Sequence, residues 1–447
     1  MRDLLRVALP LVISTTAFTA LHFCDRLFLA WHTTIEMGAV MNGGAVTWAS
    51  LALPLGIATY ASTFVAQYLG AGQREQLGKI LGTTIRLSIY TIPYFLLFGI
   101  LAPQLFQLFD HEEHLMSLET LYVQLLCFGS PAAILGTALS SLFIGQGRTR
   151  IVMIVDIAMA LINIVLDYGA IFGKWGLPEG GLEGAAWATV IAMWCKPAML
   201  GWALYADEDR ASYHLADAWR MNWKMFGQLL KFGVPNGLQF LQEASSFTLF
   251  LMFVGKLGPL ATEATTLSIN INLVAFVPII GIGIAVTTLV GQQIGRQRAD
   301  LAERATWNGL GLAGIYAAAF AAVYTLLPET FMSIYGLNRT TQTELQETAL
   351  VLLRFVAAYC VLDAVQLVFV SAIKGAGDTW FAMAASVVLT AGFIGLGTIG
   401  AQFWETPRQQ LMWWWSCLTL WIWLLSVVYF TRFRLGKWKS MSVISGS

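Results

Sequence analysis

The chain is 447 residues long, 57% hydrophobic and only 12% charged, about half the charge of a soluble domain, which excludes a single soluble globule. Its 26 basic and 26 acidic residues cancel, so no global basic field points to a nucleic acid partner, and none is expected. A bilayer crossing takes about 20 apolar residues, and the sequence holds twelve such stretches between short polar breaks.

Hydropathy and turn signals predict spans at 4–30, 46–70, 80–109, 118–144, 151–173 and 183–206, then at 226–254, 261–291, 307–336, 347–373, 380–402 and 411–431. The N-terminal run MRDLLRVALPLVISTTAFTALHF stays apolar too long for a cleaved signal peptide and reads as a retained first span. The longest polar connection, Asp207 to Lys224, contains DEDR and reads as a seam. It divides an N-lobe of residues 1–206 from a C-lobe of residues 226–432, with a linker at 207–225 and a tail at 433–447. The predicted fold class is an all-α polytopic membrane protein, with twelve transmembrane helices in two parallel six-helix lobes related by pseudo-two-fold symmetry.

With the N-terminus inside, seventeen Lys and Arg fall on inner segments and four, Lys174, Lys256, Arg339 and Arg408, on outer ones. That bias predicts both termini on the cytoplasmic side of the cell (inner) membrane. The acidic outer run Asp110, Glu112 and Glu113 reads as part of the same topology bias.

Shifting the chain by 225 residues lays LLRVALP (Leu4 to Pro10) on LLKFGVP (Leu229 to Pro235). The same shift lays Gly56, Thr63, Val65, Gln67 and Gly70 on Gly281, Thr288, Val290, Gln292 and Gly295. At a shift of 230, Gly145, Gly147 and Thr149 meet Gly375, Gly377 and Thr379. Six spans return the chain to the same side, so the two halves are parallel repeats, an architecture of transporters.

A charge at the bilayer centre costs roughly 2.5–3.5 kcal/mol on insertion scales, so each intramembrane charge needs a reason. Among the charges the spans enclose are Asp25, Asp156, Asp167, Glu243 and Asp363, with Arg26, Arg86, Lys196, Lys231 and Arg354. Mutual pairing is the plain reading for each, and Lys231 can snorkel. The fifth span, RIVMIVDIAMALINIVLDYGAIFG, puts Asn163 about 40° from Asp167 and Asp156 within about 20° of it, at 100° per residue. Asp25 falls at a similar depth in the first span. Carboxylates held in such a setting suit the loading and release of a proton. In the second half Glu243 has no base within one turn. Tyr359 and Asp363 are four apart and share a face, and these oxygens suit a small cation or a proton.

No GxxxxGK[ST] loop, HExxH or GxSxG occurs, so neither nucleotide hydrolysis nor an intramembrane hydrolase is indicated, and no enzyme activity is expected. The DHEEH run at Asp110 to His114 has an HxxH spacing but reads as a solvated acidic turn rather than a metal site. The cysteines Cys24, Cys127, Cys195, Cys360 and Cys417 form no ligand spacing and read as core. Trp413, Trp414 and Trp415 read as part of an interfacial belt.

The AQYLGAGQ stretch, the NIVLDYGAIFGKWGLPEGGLEGAAWAT run and the YCVLD and IKGAGDT segments give a chain that resembles the multidrug and toxin extrusion (MATE) family, in its NorM-like branch. The resemblance spans essentially the whole chain. It implies a secondary-active antiporter that exports cationic or amphipathic compounds by alternating access, driven by sodium or protons, with no cofactor. It also implies cation or proton sites at Asp25, Asn163 and Asp167 in the first lobe and at Glu243, Tyr359 and Asp363 in the second, the latter able to take a sodium ion. Asp156 and Arg26 are accessory candidates. Arg26 beside Asp25 departs from the family pattern, because a guanidinium there opposes protonation of the aspartate. The expected partners are small organic substrates and membrane lipids, and the chain is expected to act as a monomer. The alternative is a lipid-linked oligosaccharide flippase of the same superfamily, for which Arg86, Lys196 and Arg354 would line a basic path.

Overall fold

The computed structural model describes residues 1–108, 112–220, 222–329 and 343–444. Among them are twelve long α-helices and no strand. In chain order these are α1 (Arg2–His32), α2 (Thr34–Gly70), α3 (Gln76–Gln107), α4 (Glu113–Gly145), α5 (Thr149–Phe172) and α6 (Gly181–Tyr205). The second series is α7 (Trp223–Gly255), α8 (Pro259–Gly295), α9 (Ala299–Leu326), α10 (Thr343–Ala376), α11 (Thr379–Ala401) and α12 (Pro407–Arg434). Ten are both long and apolar enough to cross a membrane. The other two, α6 and α7, have 25 and 33 residues but are diluted by polar residues, among them Lys196 in α6 and Lys231, Asn236, Gln239 and Glu243 in α7.

Helix ends differ from the hydropathy reading for local reasons. Helix α2 begins twelve residues early, at Thr34, because Thr33 is extended and its hydroxyl accepts the Glu36 N–H at 3.3 Å, a side-chain cap. One residue therefore joins α1 to α2. Helix α9 stops at Leu326 just before Pro328, whose ring disfavours helix at the preceding residue; the remainder of that predicted span lies partly outside the described residues. Helix α5 ends on Gly173, which takes the left-handed conformation at φ 63°, a common helix stop. The polar seam winds into two short 3₁₀ turns, Glu208–Tyr213 and Leu215–Trp219.

Contacts divide the chain into two compact units. One holds Met1–Val12, Leu241–Val290 and Arg298–Ser442, and the other holds Ile13–Phe240, Gly291–Gln297 and Val443–Ser447. Each therefore has most of one repeat half plus the leading turns of the other half's first helix. Pro10 and Pro235 lie inside α1 and α7 close to these divisions. An interior proline removes one helical hydrogen bond and weakens the rod there.

Inside the units the repeat recurs as matched contacts. A Cβ on Gly56 would lie 2.4 Å from Gly237 Cα, and one on Gly281 would lie 2.7 Å from Val12 N; both partners are related by the 225-residue shift. Gly70 would meet the Gln292 carbonyl at 2.2 Å, and Gly295 the Gln67 carbonyl at 2.1 Å. Gly145 packs on Ser62 and Val65 as Gly375 packs on Thr287 and Val290. Small residues let helix backbones approach closely where lipid supplies no hydrophobic drive between helices.

Trp414 and Trp415 are 2% and 0% exposed, which corrects the belt reading. Trp414 stacks on Phe253 at 4.8 Å, and Trp415 Nε1 donates to the Thr265 hydroxyl at 3.2 Å. Three consecutive residues fan over about 200° of a helix, so they cannot share one lipid face.

The seam is tied down by Asp207, which is 8% exposed. Its carboxylate accepts from Arg148, from the Tyr213 hydroxyl at 3.0 Å and from the Asp209 N–H at 3.2 Å. Burial alone would raise this carboxyl, but these donors hold it below its ordinary value. A lowered folded pKa stabilises the fold above the unfolded value of about 3.9, and that contribution is lost as pH falls through the folded value.

Two outcomes follow. Gly70→Ala is expected to lower thermal stability by the equivalent of about 1–3 kcal/mol, since the neighbour is backbone and cannot yield. Gly44→Ala, where a Cβ meets nothing within 4 Å, should be neutral or gain up to about 1 kcal/mol; melting of the purified proteins checks the contrast. Acidification from pH 5 to pH 3 should lower the melting temperature of the parent more steeply than that of Asp207→Asn, and parallel curves would refute the linkage.

Candidate functional site

Sequence reasoning named two carboxylate groups, and they fall in different units. In the second unit Asp25 of α1 is 4% exposed, and Asn163 and Asp167, one turn apart on α5, are both fully buried. Leu29, Ala39, Val40, Tyr122, Ile171 and Leu182 pack into one apolar cluster. It joins the end of α1, the start of α2, the early turns of α4, the end of α5 and the start of α6.

The polar atoms inside this shell are under-supplied with donors. Among the described residues neither oxygen of Asp167 has a hydrogen-bond partner, nor does Asp25 Oδ1 or Asn163 Oδ1. The Asn163 amide nitrogen donates to the Thr189 hydroxyl of α6 at 3.4 Å, which turns its oxygen away from that contact. Asp25 and Asp167 lie within electrostatic range of each other, and Tyr122 of α4 lies within range of both. A buried acceptor left unpaired costs about 1–3 kcal/mol, more when charged. Four such oxygens from three side chains form an electron-rich set that a proton or a small bare cation would satisfy. Three neutral or acidic oxygen donors of this kind are hard ligands.

The accessory candidates sit differently. Asp156 is bridged to Lys196 Nζ at 2.7 Å and also accepts from the Ser14 hydroxyl. Arg26 is exposed and, among the described residues, makes no ion pair with Asp25, although it lies within electrostatic reach of it. Adjacent helical positions point about 100° apart, which accounts for one side chain facing in and the next facing out.

In the first unit Tyr359 and Asp363 of α10 are 3% and 8% exposed, and Asp363 Oδ1 accepts from Gln366 Nε2 at 3.1 Å. Glu243 of α7 is exposed and lies within electrostatic range of Asp363. Arg354, on the other side of α10, is exposed. Two further groups reach Glu243 electrostatically: Lys374, also of α10, and Tyr429 of α12. The predicted span ends at residue 373, just short of Lys374, whereas α10 runs on to Ala376 before Gly377 turns out at φ 119°. Beside Glu243, Gln242 gathers Ser246 at 2.8 Å, Thr390 at 2.6 Å and Ser386, a polar knot between α7 and α11.

The five cysteines are free thiols. Of the DHEEH run, Asp110 and His111 lie outside the described residues, as does Arg339. Among the described residues no group of three His, Cys, Asp or Glu is placed to hold a metal.

The MatE family model matches residues 10–169 and 235–396, two stretches that begin on the paired prolines Pro10 and Pro235. Among curated relatives, the "Probable multidrug resistance protein NorM" of Xanthomonas axonopodis pv. citri is 26% identical over 432 residues, covering 96% of this chain and 92% of that protein. The multidrug resistance protein PmpM of Pseudomonas aeruginosa is 28% identical over 387 residues, covering 85% and 79%. Among solved structures, the eukaryotic MATE transporter AtDTX14 matches with a TM-score of 0.86 at 17% identity, over 98% of this chain and 96% of that one. An outward-facing multidrug resistance MATE family transporter of the MOP superfamily matches with 0.85 at 20% identity over the same shares. These structural likenesses establish the two-lobe, twelve-helix fold. With the family model matching in both halves, the chain belongs to the MatE family of multi-pass membrane transporters and is a transporter rather than an enzyme.

Proposed function

We propose that this protein is a secondary-active exporter of small amphipathic or cationic organic compounds, coupled to an inward gradient of sodium or protons. Its N-lobe (1–206) and C-lobe (226–432), joined by the 207–225 linker, expose substrate alternately to the two sides of the cell membrane, with both termini cytoplasmic. The curated relatives carry multidrug resistance in their names, which supports a broad range of organic substrates.

The carrying observation is Asp167: fully buried, with neither oxygen partnered among the described residues, beside a second buried acid. Asp25, Asn163 and Asp167 then hold the coupling ion in the N-lobe. Glu243, Tyr359 and Asp363 are the corresponding C-lobe group. An ion drives the cycle only if it binds the two conformations with different affinity. Relief of repulsion between Asp25 and Asp167 supplies such a difference, because it depends on how close the conformation holds them. One charge entering down 100 mV releases about 2.3 kcal/mol, which supports about a fifty-fold gradient of an uncharged substrate.

The flippase reading needs basic side chains to receive a pyrophosphate. Lys196 is engaged by Asp156 at 2.7 Å, which favours the antiporter.

In proteoliposomes, efflux of a fluorescent organic cation under an imposed sodium gradient, then under a proton gradient, tests the reading and identifies the ion. Asp167→Asn or Asp363→Asn is expected to abolish gradient-driven efflux while the protein still inserts. Parent-like efflux from both would overturn the assignment. Lys196→Met should destabilise the fold by about 1–3 kcal/mol, as expected when the partner of a buried carboxylate is removed from a partly exposed pair. The double variant Lys196→Met with Asp156→Asn should recover most of that loss and keep exporting.

A further inference from the structure

His32 is the last residue of α1, and both of its ring nitrogens face acids that the site above does not use. Nδ1 lies 2.6 Å from Glu36 Oε2 of α2, and Nε2 lies 3.2 Å from Glu179 Oε1, on the connection from α5 to α6. Only the imidazolium carries a proton on each nitrogen, so a ring set between two ionised carboxylates is held by both when charged and by one when neutral. The other elements packed here bring no charge to the ring. Helix α5 presents Phe172 at 6.2 Å, and α6 presents Gly181, at φ 47°, where a Cβ would sit 2.6 Å from Glu36 Oε1. Lys174 of the connection and Glu183 of the first turn of α6 are exposed.

The Glu179 arm ties down a segment next to the coupling pair. Residues 173–180 leave α5 six residues past Asp167, and the flanking Ile171, Phe172 and Leu182 belong to the apolar cluster that also holds Leu29. His32 is seven residues past Asp25, on nearly the same face of α1 and about 10 Å along it, with the fully buried Leu29 between them. Within the segment Trp175 holds φ 56°, a left-handed conformation that a bulky residue rarely takes. Contacts rather than local preference therefore keep it in place: Trp175 rests on Tyr168 at 5.8 Å, and Glu179 is held by His32.

Resting on the coupling reading above, we infer that residues 173–180 are a lid at the outer end of the N-lobe site, clasped by His32, and that external pH sets how readily the lid admits the coupling ion. With His32 protonated both arms hold. When the ring gives that proton to external water it keeps a single N–H, which stays on the shorter Glu36 arm, and the exposed Glu179 arm is released.

The test compares initial efflux of a fluorescent organic cation from proteoliposomes of the full chain at about pH 5.5 and pH 7.5, which bracket histidine titration. Both compartments are moved together so that the gradient of the driving ion is unchanged. Between these values the parent should speed up about fivefold more than Glu179→Gln, the factor that one exposed arm of an ion pair supplies. The Asp25 and Asp167 carboxylates are intact in both proteins, so their own pH response cancels. His32→Arg, whose guanidinium keeps its charge and can hold both acids, should stay slow across the interval, and His32→Gln should stay fast. Equal pH responses in the parent and Glu179→Gln overturn the proposal, and so does a fast His32→Arg protein. If a histidine variant fails to insert, the Glu179→Gln comparison decides, since that side chain is 69% exposed. Failure of the underlying coupling reading looks different: efflux would then keep its ion dependence in Asp167→Asn, whatever the response at Glu179.

Discussion

The structure depends on keeping ionisable oxygens buried inside an apolar helical protein. Transfer of a charge into that setting is costly, and the chain meets the cost in two ways. Some acids are given a base: Asp156 takes Lys196, Asp207 takes Arg148, and Asp378 takes Arg432 at 2.7 Å. These bridges join elements distant in sequence and act as fasteners. Asp25 and Asp167 are treated otherwise, with oxygens that no donor among the described residues satisfies. Among the described residues neither of these two acids is given an ion pair of that kind.

Close helix approach fixes where these acids lie. Gly184 would place a Cβ 2.4 Å from the Ala170 carbonyl, so α6 seats directly on the end of α5, three residues beyond Asp167. Gly43 does the same for α2 against α4. With backbones this near, the position of each carboxylate is set by rods rather than loops.

Much of this was readable from the residues. The twelve helices followed from apolar run length, and the shared face of Asn163 and Asp167 from helical periodicity. What escaped has physical causes. The start of α2 was missed because MNGGAV reads as a polar break, whereas Thr33 and Glu36 carried the capping signal. Glu119 was passed over because it sits at the edge of a predicted span, where an acid normally meets water, yet it is 0% exposed. The Asp156–Lys196 bridge links positions forty residues apart on two helices, and no periodicity within one helix reports such a pair. Trp414 and Trp415 were misjudged on composition, since tryptophan favours interfaces but a run of three must turn inward somewhere.

The matched glycine contacts carry one asymmetry. Where the second unit sets Gly56 against Gly237, the first sets Gly281 against Val12. Two hydrogens face each other in one crossing, and a branched side chain replaces one of them in the other. Val12 makes the two crossings chemically unequal, so a substitution at Gly56 and the matching one at Gly281 meet different neighbours.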